Sequence, residues 1–189
     1  MIHHFDIAKE LGQDFLQGRP LGRKHFPELC ALTPQIPSGA VVLLDFNGVE
    51  MVTGSWINEA MVPLLNWMSD RRNDLFPVVL NFSDEWIDEL QMVAEWTHSC
   101  FLVSKGKRLP RKARLAGKLD VGQLQTLSVV GKDGVSGAEL ERRQPDAGIK
   151  ATAWNNRLKD LYQKRLLHRV KRGREQIYSP VVSEVVIDG

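Results

Sequence analysis

Ala40-Val41-Val42-Leu43-Leu44-Asp45-Phe46, preceded by Pro37-Ser38-Gly39 and broken by Asn47-Gly48, is a nearly continuous apolar run too short for a buried helix. A strand apolar on both faces reads this way, and such strands belong to parallel or mixed sheets covered by helices. Working outward, Pro77-Val78-Val79-Leu80-Asn81-Phe82 repeats the pattern, and Ser99-Cys100-Phe101-Leu102-Val103 repeats it again. Between the first two, Trp56, Ile57, Ala60, Met61, Leu64, Leu65 and Met68 recur at helical spacing. Pro63 must then lie near a first turn or kink the helix. Between the second and third, Ser83 is an N-cap, and Asp84 and Glu85 sit at the positive end of the helix dipole. Upstream, a short helix is predicted within Asp6 to Phe15 and a second from Leu21 to Leu32. The alternation predicts right-handed crossovers and an α/β domain with a mixed sheet over residues 1–106.

The second half has another grammar. Lys105-Gly106-Lys107-Arg108-Leu109-Pro110-Arg111-Lys112-Ala113-Arg114 reads as a basic linker over 107–116, either a solvated tether or an arm lying on nucleic acid. Beyond it, a helix is predicted from Val121 to Val130. A second begins at Ser136, whose Glu139 three residues on has capping-box spacing, and a third runs from Ala151 or Thr152 to about Leu167. His168 to Tyr178 then folds back at Arg172-Gly173 as a hairpin. Three helices and a hairpin predict an α+β winged helix-turn-helix domain over 117–180, followed by a tail, 181–189.

Composition supports the division. The 189 residues carry 25 Lys+Arg and 23 Asp+Glu, a net charge of +2. Up to Gly106 there are seven basic and fourteen acidic residues, and after it eighteen and nine, so nets of −7 and +9 are averaged away. No run approaches the ~20 apolar residues of a membrane helix, and no secretory signal is read at Met1-Ile2-His3-His4-Phe5-Asp6. Cys30 and Cys100 are too few for a disulfide framework. A reduced, cytoplasmic protein without membrane association is the expectation.

On the third C-terminal helix, Trp154, Leu158, Leu161, Tyr162 and Leu166 share a core face. Thr152, Asn155, Asn156, Lys159 and Gln163 occupy the opposite face, with Arg157 and Lys164 at its margins. Amides can pair with adenine edges, and Lys and Thr can hold phosphates. The hairpin adds Arg169, Lys171, Arg172 and Arg174, suited to a phosphate backbone or the minor groove. Residues from about Gly117 to Pro180 resemble winged helix-turn-helix domains of bacterial transcription regulators, in Ala151 to Leu158, Leu161, Leu166-Leu167 and Arg172-Gly173-Arg174 running into Tyr178-Ser179-Pro180. That resemblance implies a recognition helix and a wing on double-stranded DNA. A winged helix that binds protein, with a merely solvated polar face, is the competing reading.

Leu43 to Ser55, a strand ending in Asp-Phe, a Gly-Val step and a Ser before a helix, resembles the STAS-like family, related to the STAS domains of anti-sigma-factor antagonists. The resemblance covers roughly Phe5 to Gly106. In those antagonists a Ser at this position is phosphorylated by a kinase-like ATPase on which the loop docks. This chain has Thr53-Gly54-Ser55-Trp56 where the antagonists have Asp-Ser-Ser/Thr-Gly. Thr53 or Ser55 as a simple N-cap is therefore preferred, with Thr53 and Ser55 retained as candidate docking or phosphorylation residues.

No catalytic constellation is read. The acids Asp84, Glu85, Asp88 and Glu89 suit a helix start better than a cation or acid–base pair. His3, His4, His25, His98 and His168 lack metal spacing, and no nucleotide fingerprint is present, so neither metal nor cofactor is expected. Asn47 and Asn81 sit at strand C-terminal ends, where open α/β sheets bind ligands, although turn formation also explains them. Trp56, Trp67, Trp86 and Trp96 read as core, an exposed one being a potential anchor for a partner. The tail Val181 to Ile187 is a candidate strand at a homodimer interface. Two functions stay open, a non-enzymatic DNA-binding regulator and a protein-interaction switch of the antagonist type.

Overall fold

The computed structural model describes residues 1–187, which divide into two compact units, Met1–Lys118 together with the chain from Glu184, and Leu119–Ser183. In the first unit the chain runs β1 (Ile2–Asp6), α1 (Ile7–Leu11), β2 (Phe15–Leu16), α2 (Arg19–Ala31), β3 (Val41–Asp45), β4 (Met51–Val52) and α3 (Gly54–Trp56). A π-helical turn (Ile57–Met61) leads directly into α4 (Val62–Arg71), followed by β5 (Phe76–Leu80), α5 (Asp84–Trp96), β6 (Cys100–Ser104) and β7 (Lys112–Gly117). The second unit holds α6 (Val121–Val129), α7 (Gly137–Arg143), α8 (Ala151–Gln163), β8 (Leu167–Arg172) and β9 (Glu175–Pro180). The chain then returns to the first unit as β10 (Glu184–Val186).

The first unit is built on a six-stranded sheet in the order β1-β3-β5-β6-β7-β10. Every neighbouring pair is parallel except β6 with β7, so the sheet is mixed. All five residues of β3 and of β5 are buried, as their unbroken apolar runs predict. Val42, Leu44, Val79, Phe101, Val103 and Ala116 join one core with Leu29, Trp56, Ile57, Leu64 and Leu90 from the helices.

Three stretches differ from the sequence expectation. The predicted helix from Asp6 shortens to α1, capped by the Asp6 carboxylate, which accepts from Lys9 N–H at 3.1 Å, and closed by Gly12 at φ 63°. The preceding residues form β1, whose His3 and His4 concealed it; it pairs with β3 in register Ile2↔Val41 to Asp6↔Asp45. The linker read over 107–116 is half strand. Lys112–Gly117 pairs antiparallel with β6, Leu102 opposite Leu115 and Phe101 opposite Ala116. Charges at Lys112 and Arg114 interrupt its apolar residues, so cross-strand pairing rather than pattern makes it a strand. The tail expected at an interface between copies instead lies beside β7 of its own chain, Val185 opposite Ala113, with Lys112 and Glu184 paired at 2.9 Å.

Pro63 lies in the first turn of α4. Lacking an N–H, it cannot bond the Glu59 carbonyl, and the π turn lies immediately before it. Next to this turn Gly22 lets α2 approach closely, since a Cβ there would stand 2.8 Å from Glu59 Cβ and 3.1 Å from the Trp56 carbonyl oxygen. His25, on the same helix, is fully buried and its Nδ1 accepts the Trp56 indole N–H at 3.1 Å.

In the second unit Asp120 caps α6 in a reciprocal box with Gln123, at 2.8 and 3.1 Å. Ser136 caps α7 by accepting Glu139 N–H at 3.2 Å, whereas the Glu139 carboxylate pairs with Arg143 rather than completing the box. Helix α8 stops at Gln163, short of the expected Leu167. Arg165 turns left-handed at φ 63°, and Leu166 N–H reaches back to Leu161 O at 3.0 Å. The hairpin β8–β9 turns through Gly173 and Arg174, and Val135 bridges to Tyr178.

Candidate nucleic-acid interface

Helix α8 presents the two faces that its periodicity predicts. Trp154, Leu158, Leu161 and Tyr162 are buried, while Thr152, Asn155, Asn156, Lys159 and Gln163 are exposed. Its first turn receives no side-chain cap from Lys150; the Glu141 carboxylate accepts Ala151 N–H at 2.9 Å and lies 3.3 Å from the Lys150 ammonium. That backbone bond, with Lys150, holds the Glu141 carboxyl below the usual carboxylate range.

The polar face is not uniform. Asn155 Oδ1 accepts the Gly137 N–H at 3.1 Å, and a Cβ on Gly137 would stand 2.5 Å from that side chain. Asn155 therefore ties α7 to α8, and Gly137 is what allows their approach. Arg157 is similarly occupied, its guanidinium 5.4 Å from the Trp154 ring centroid and donating to Gln125 at 3.2 Å. Arg169 lies 4.2 Å over the Tyr162 ring. Cations so stacked have their side chains held against the unit's own core. Thr152, Asn156, Lys159 and Gln163 on the helix, and Lys171, Arg172 and Arg174 on the hairpin, stand in solvent.

Helix and hairpin meet in a hollow of about 290 Å³, where Asn155, Asn156 and Lys159 face Arg174 and Gln176. Gln176 and Ser136 were not read as site residues. Gln176 is two positions from Tyr178 within β9, so strand alternation carried a signal for it. Ser136 is legible only as the cap of α7; its hydroxyl also donates to the Glu175 carboxylate at 3.3 Å, a contact that local spacing does not display.

In the α/β unit, Thr53 and Ser55 lie at the start of α3 as expected, and Thr53 is the N-cap. Its hydroxyl oxygen receives Trp56 N–H at 3.4 Å and Gly18 N–H at 3.1 Å, and it lies 3.1 Å from the Ser55 hydroxyl. Gly54 N–H donates to the Glu89 carboxylate. Glu89, read as part of a dipole-matched cluster on its own helix, thus serves the N-terminus of another. A phosphate on Ser55 would share this terminus with an acid already there. The adjacent ribbon pairs Phe15 with Met51, both exposed, at 44% and 40%. On α5, Met92 and Trp96 are 64% and 72% exposed, while Trp56 is fully buried.

Among the described residues no group of three or more His, Cys, Asp or Glu is placed to hold a metal ion, and no helix is long and apolar enough to cross a membrane. Comparison with known protein families, with curated proteins and with solved structures returns no match. What the fold defines is an α/β protein with a mixed sheet and several helices.

Proposed function

We propose that the chain is a non-enzymatic DNA-binding transcription regulator, with a STAS-like α/β domain that docks or senses a partner and a C-terminal winged helix-turn-helix domain that reads double-stranded DNA. One observation carries the reading. In the second unit a helix bearing exposed Thr152, Asn156, Lys159 and Gln163 borders a hairpin bearing exposed Lys171, Arg172 and Arg174. Amides beside cations on a helix suit base edges, and a basic two-residue turn suits phosphates. The helix–helix–helix–hairpin order supports calling α8 the recognition helix and β8–β9 the wing. Electrophoretic mobility shift of the full chain on duplex DNA tests it. Binding that weakens steeply with salt, and weakens further in Asn156→Ala and Arg172→Ala, is expected; equally flat curves at low salt for the parent chain and both variants would end it.

A protein-interaction switch engaging a kinase-like ATPase through the Thr53–Ser55 loop is the second reading. The exposed Phe15–Met51 pair, on the ribbon leading into that loop, favours it. Pull-down from the native host with Ser55→Ala and Met51→Ala should lose partners that the parent chain retains. Identical yields with all three remove the loop from consideration.

A further inference from the structure

The C-terminal ends of strands in the six-stranded sheet border a cavity lined by polar residues that neither reading uses. Asp45 ends β3 and is only 7% exposed. A carboxylate so enclosed needs donors, and it has three. Asn47 N–H and Asn81 Nδ2 donate to Oδ1 at 2.9 and 2.7 Å, and His4 Nε2 meets Oδ2 at 2.9 Å. A carboxylate partner keeps a proton on Nε2, and in the neutral imidazole Nδ1 is then an acceptor.

Asn81 takes the left-handed conformation at φ 55°, which asparagine adopts more readily than most residues other than glycine. Both ends of its amide also bond the loop after β6, Nδ2 donating to Gly106 O at 2.9 Å and Oδ1 accepting Gly106 N–H at 2.8 Å. This pair of hydrogen bonds to Gly106 sets the position of Lys107. His4, Asp45, Asn47, Asn81, Gly106 and Lys107 together line about 360 Å³. The space suits a small molecule rather than a peptide, at the edge where open α/β sheets bind ligands. Three donors already bond the Asp45 carboxylate, and Lys107 is the lysine of the lining with which a ligand's anionic group can pair.

We propose that this cavity binds a small hydroxylated organic anion, its carboxylate or phosphate on Lys107 and a hydroxyl proton on His4 Nδ1. The proposal deepens the sensing role given above to the α/β domain, and it is independent of whether the chain binds DNA. The full chain is titrated with glucose 6-phosphate, gluconate and neutral glucose at millimolar concentration, following the Asn47 and Gly106 amides by ¹H–¹⁵N NMR. Saturable shifts with one or both anions but not glucose are expected, the pair distinguishing phosphate from carboxylate. Lys107→Ala, on an exposed loop, should weaken binding about tenfold or more with the spectrum otherwise intact. His4→Phe should do likewise, while Lys159→Ala should have no effect. Absence of a saturable shift with either anion, shifts equal to those with glucose, or undiminished binding in Lys107→Ala each overturns it.

Discussion

His25 is fully buried, and the Trp56 indole N–H occupies its Nδ1. Burial lowers its proton affinity, and burial acts in the same direction on His168 in the second unit. With the folded pKa below the unfolded one, the unfolded chain takes up protons first. Stability is therefore full at neutral pH and falls as pH drops below the ordinary histidine value of about 6.5. Urea unfolding should show a lower midpoint at about pH 5.5 than at about pH 7.5, and His25→Gln, which keeps an acceptor for Trp56, should lessen the difference. An unchanged midpoint between the two would refute the assignment. Residue scale also separates two adjacent amides. Asn155→Ala strands the buried Gly137 N–H and should cost about 1–3 kcal/mol in thermal or urea unfolding, whereas exposed Asn156→Ala should leave stability within about 0.5 kcal/mol and weaken the proposed DNA binding. The reverse order would exchange their roles. Burial also pushes the Cys30 thiol up to about 11, so it should react with Ellman's reagent only slowly until the chain unfolds.

At the scale of elements, two helices end in a way their sequences hide. After α5 and α8 the chain turns left-handed at His98 and Arg165, with φ of 55° and 63°, where glycine is usual. In each case the next residue bonds back to the last turn, Ser99 N–H to Ala94 O at 2.9 Å and Leu166 N–H to Leu161 O at 3.0 Å. His98→Gly should raise the thermal midpoint by the equivalent of about 1 kcal/mol through relief of that conformation, and a lowered midpoint would refute this. Gly22→Ala should lower stability by about 1–3 kcal/mol, because its Cβ would meet Glu59 and Trp56 where the helices touch; an unchanged midpoint would mean that α2 can move away. Starts were easier to read than ends. Ser83 and Ser136 cap within three residues of themselves, and sequence spacing displays such pairs. The Glu89 contact to Gly54 spans 35 residues and was hidden.

Across the whole molecule the charge asymmetry survives in a gentler form. Because β7 and the loop before it belong to the α/β unit, that unit holds 13 basic and 16 acidic residues, and Leu119–Ser183 holds 12 and 7. The nets become −3 and +5 in place of −7 and +9. If the hairpin carries its share of DNA affinity, the triple change of Lys171, Arg172 and Arg174 to Ala should reduce the slope of log affinity against log salt by about 2 to 3, because each phosphate contact contributes about 0.9. An unchanged slope would place the phosphate contacts elsewhere.

Strongly periodic segments could be read directly. The apolar runs of β3, β5 and β6, the two faces of α8, the Ser83 cap and the hairpin turn all rest on neighbours within a few residues, so local pattern determines them. Tertiary structure alone decided that Lys112–Gly117 and Glu184–Val186 are strands, that Asn155 braces α7, and that His4, Asp45, Asn81 and Gly106 converge on one cavity. Those outcomes depend on hydrogen bonds to residues up to tens of positions away. Backbone groups left unpaired by a weak local pattern find partners only once the sheet and helices have brought them together.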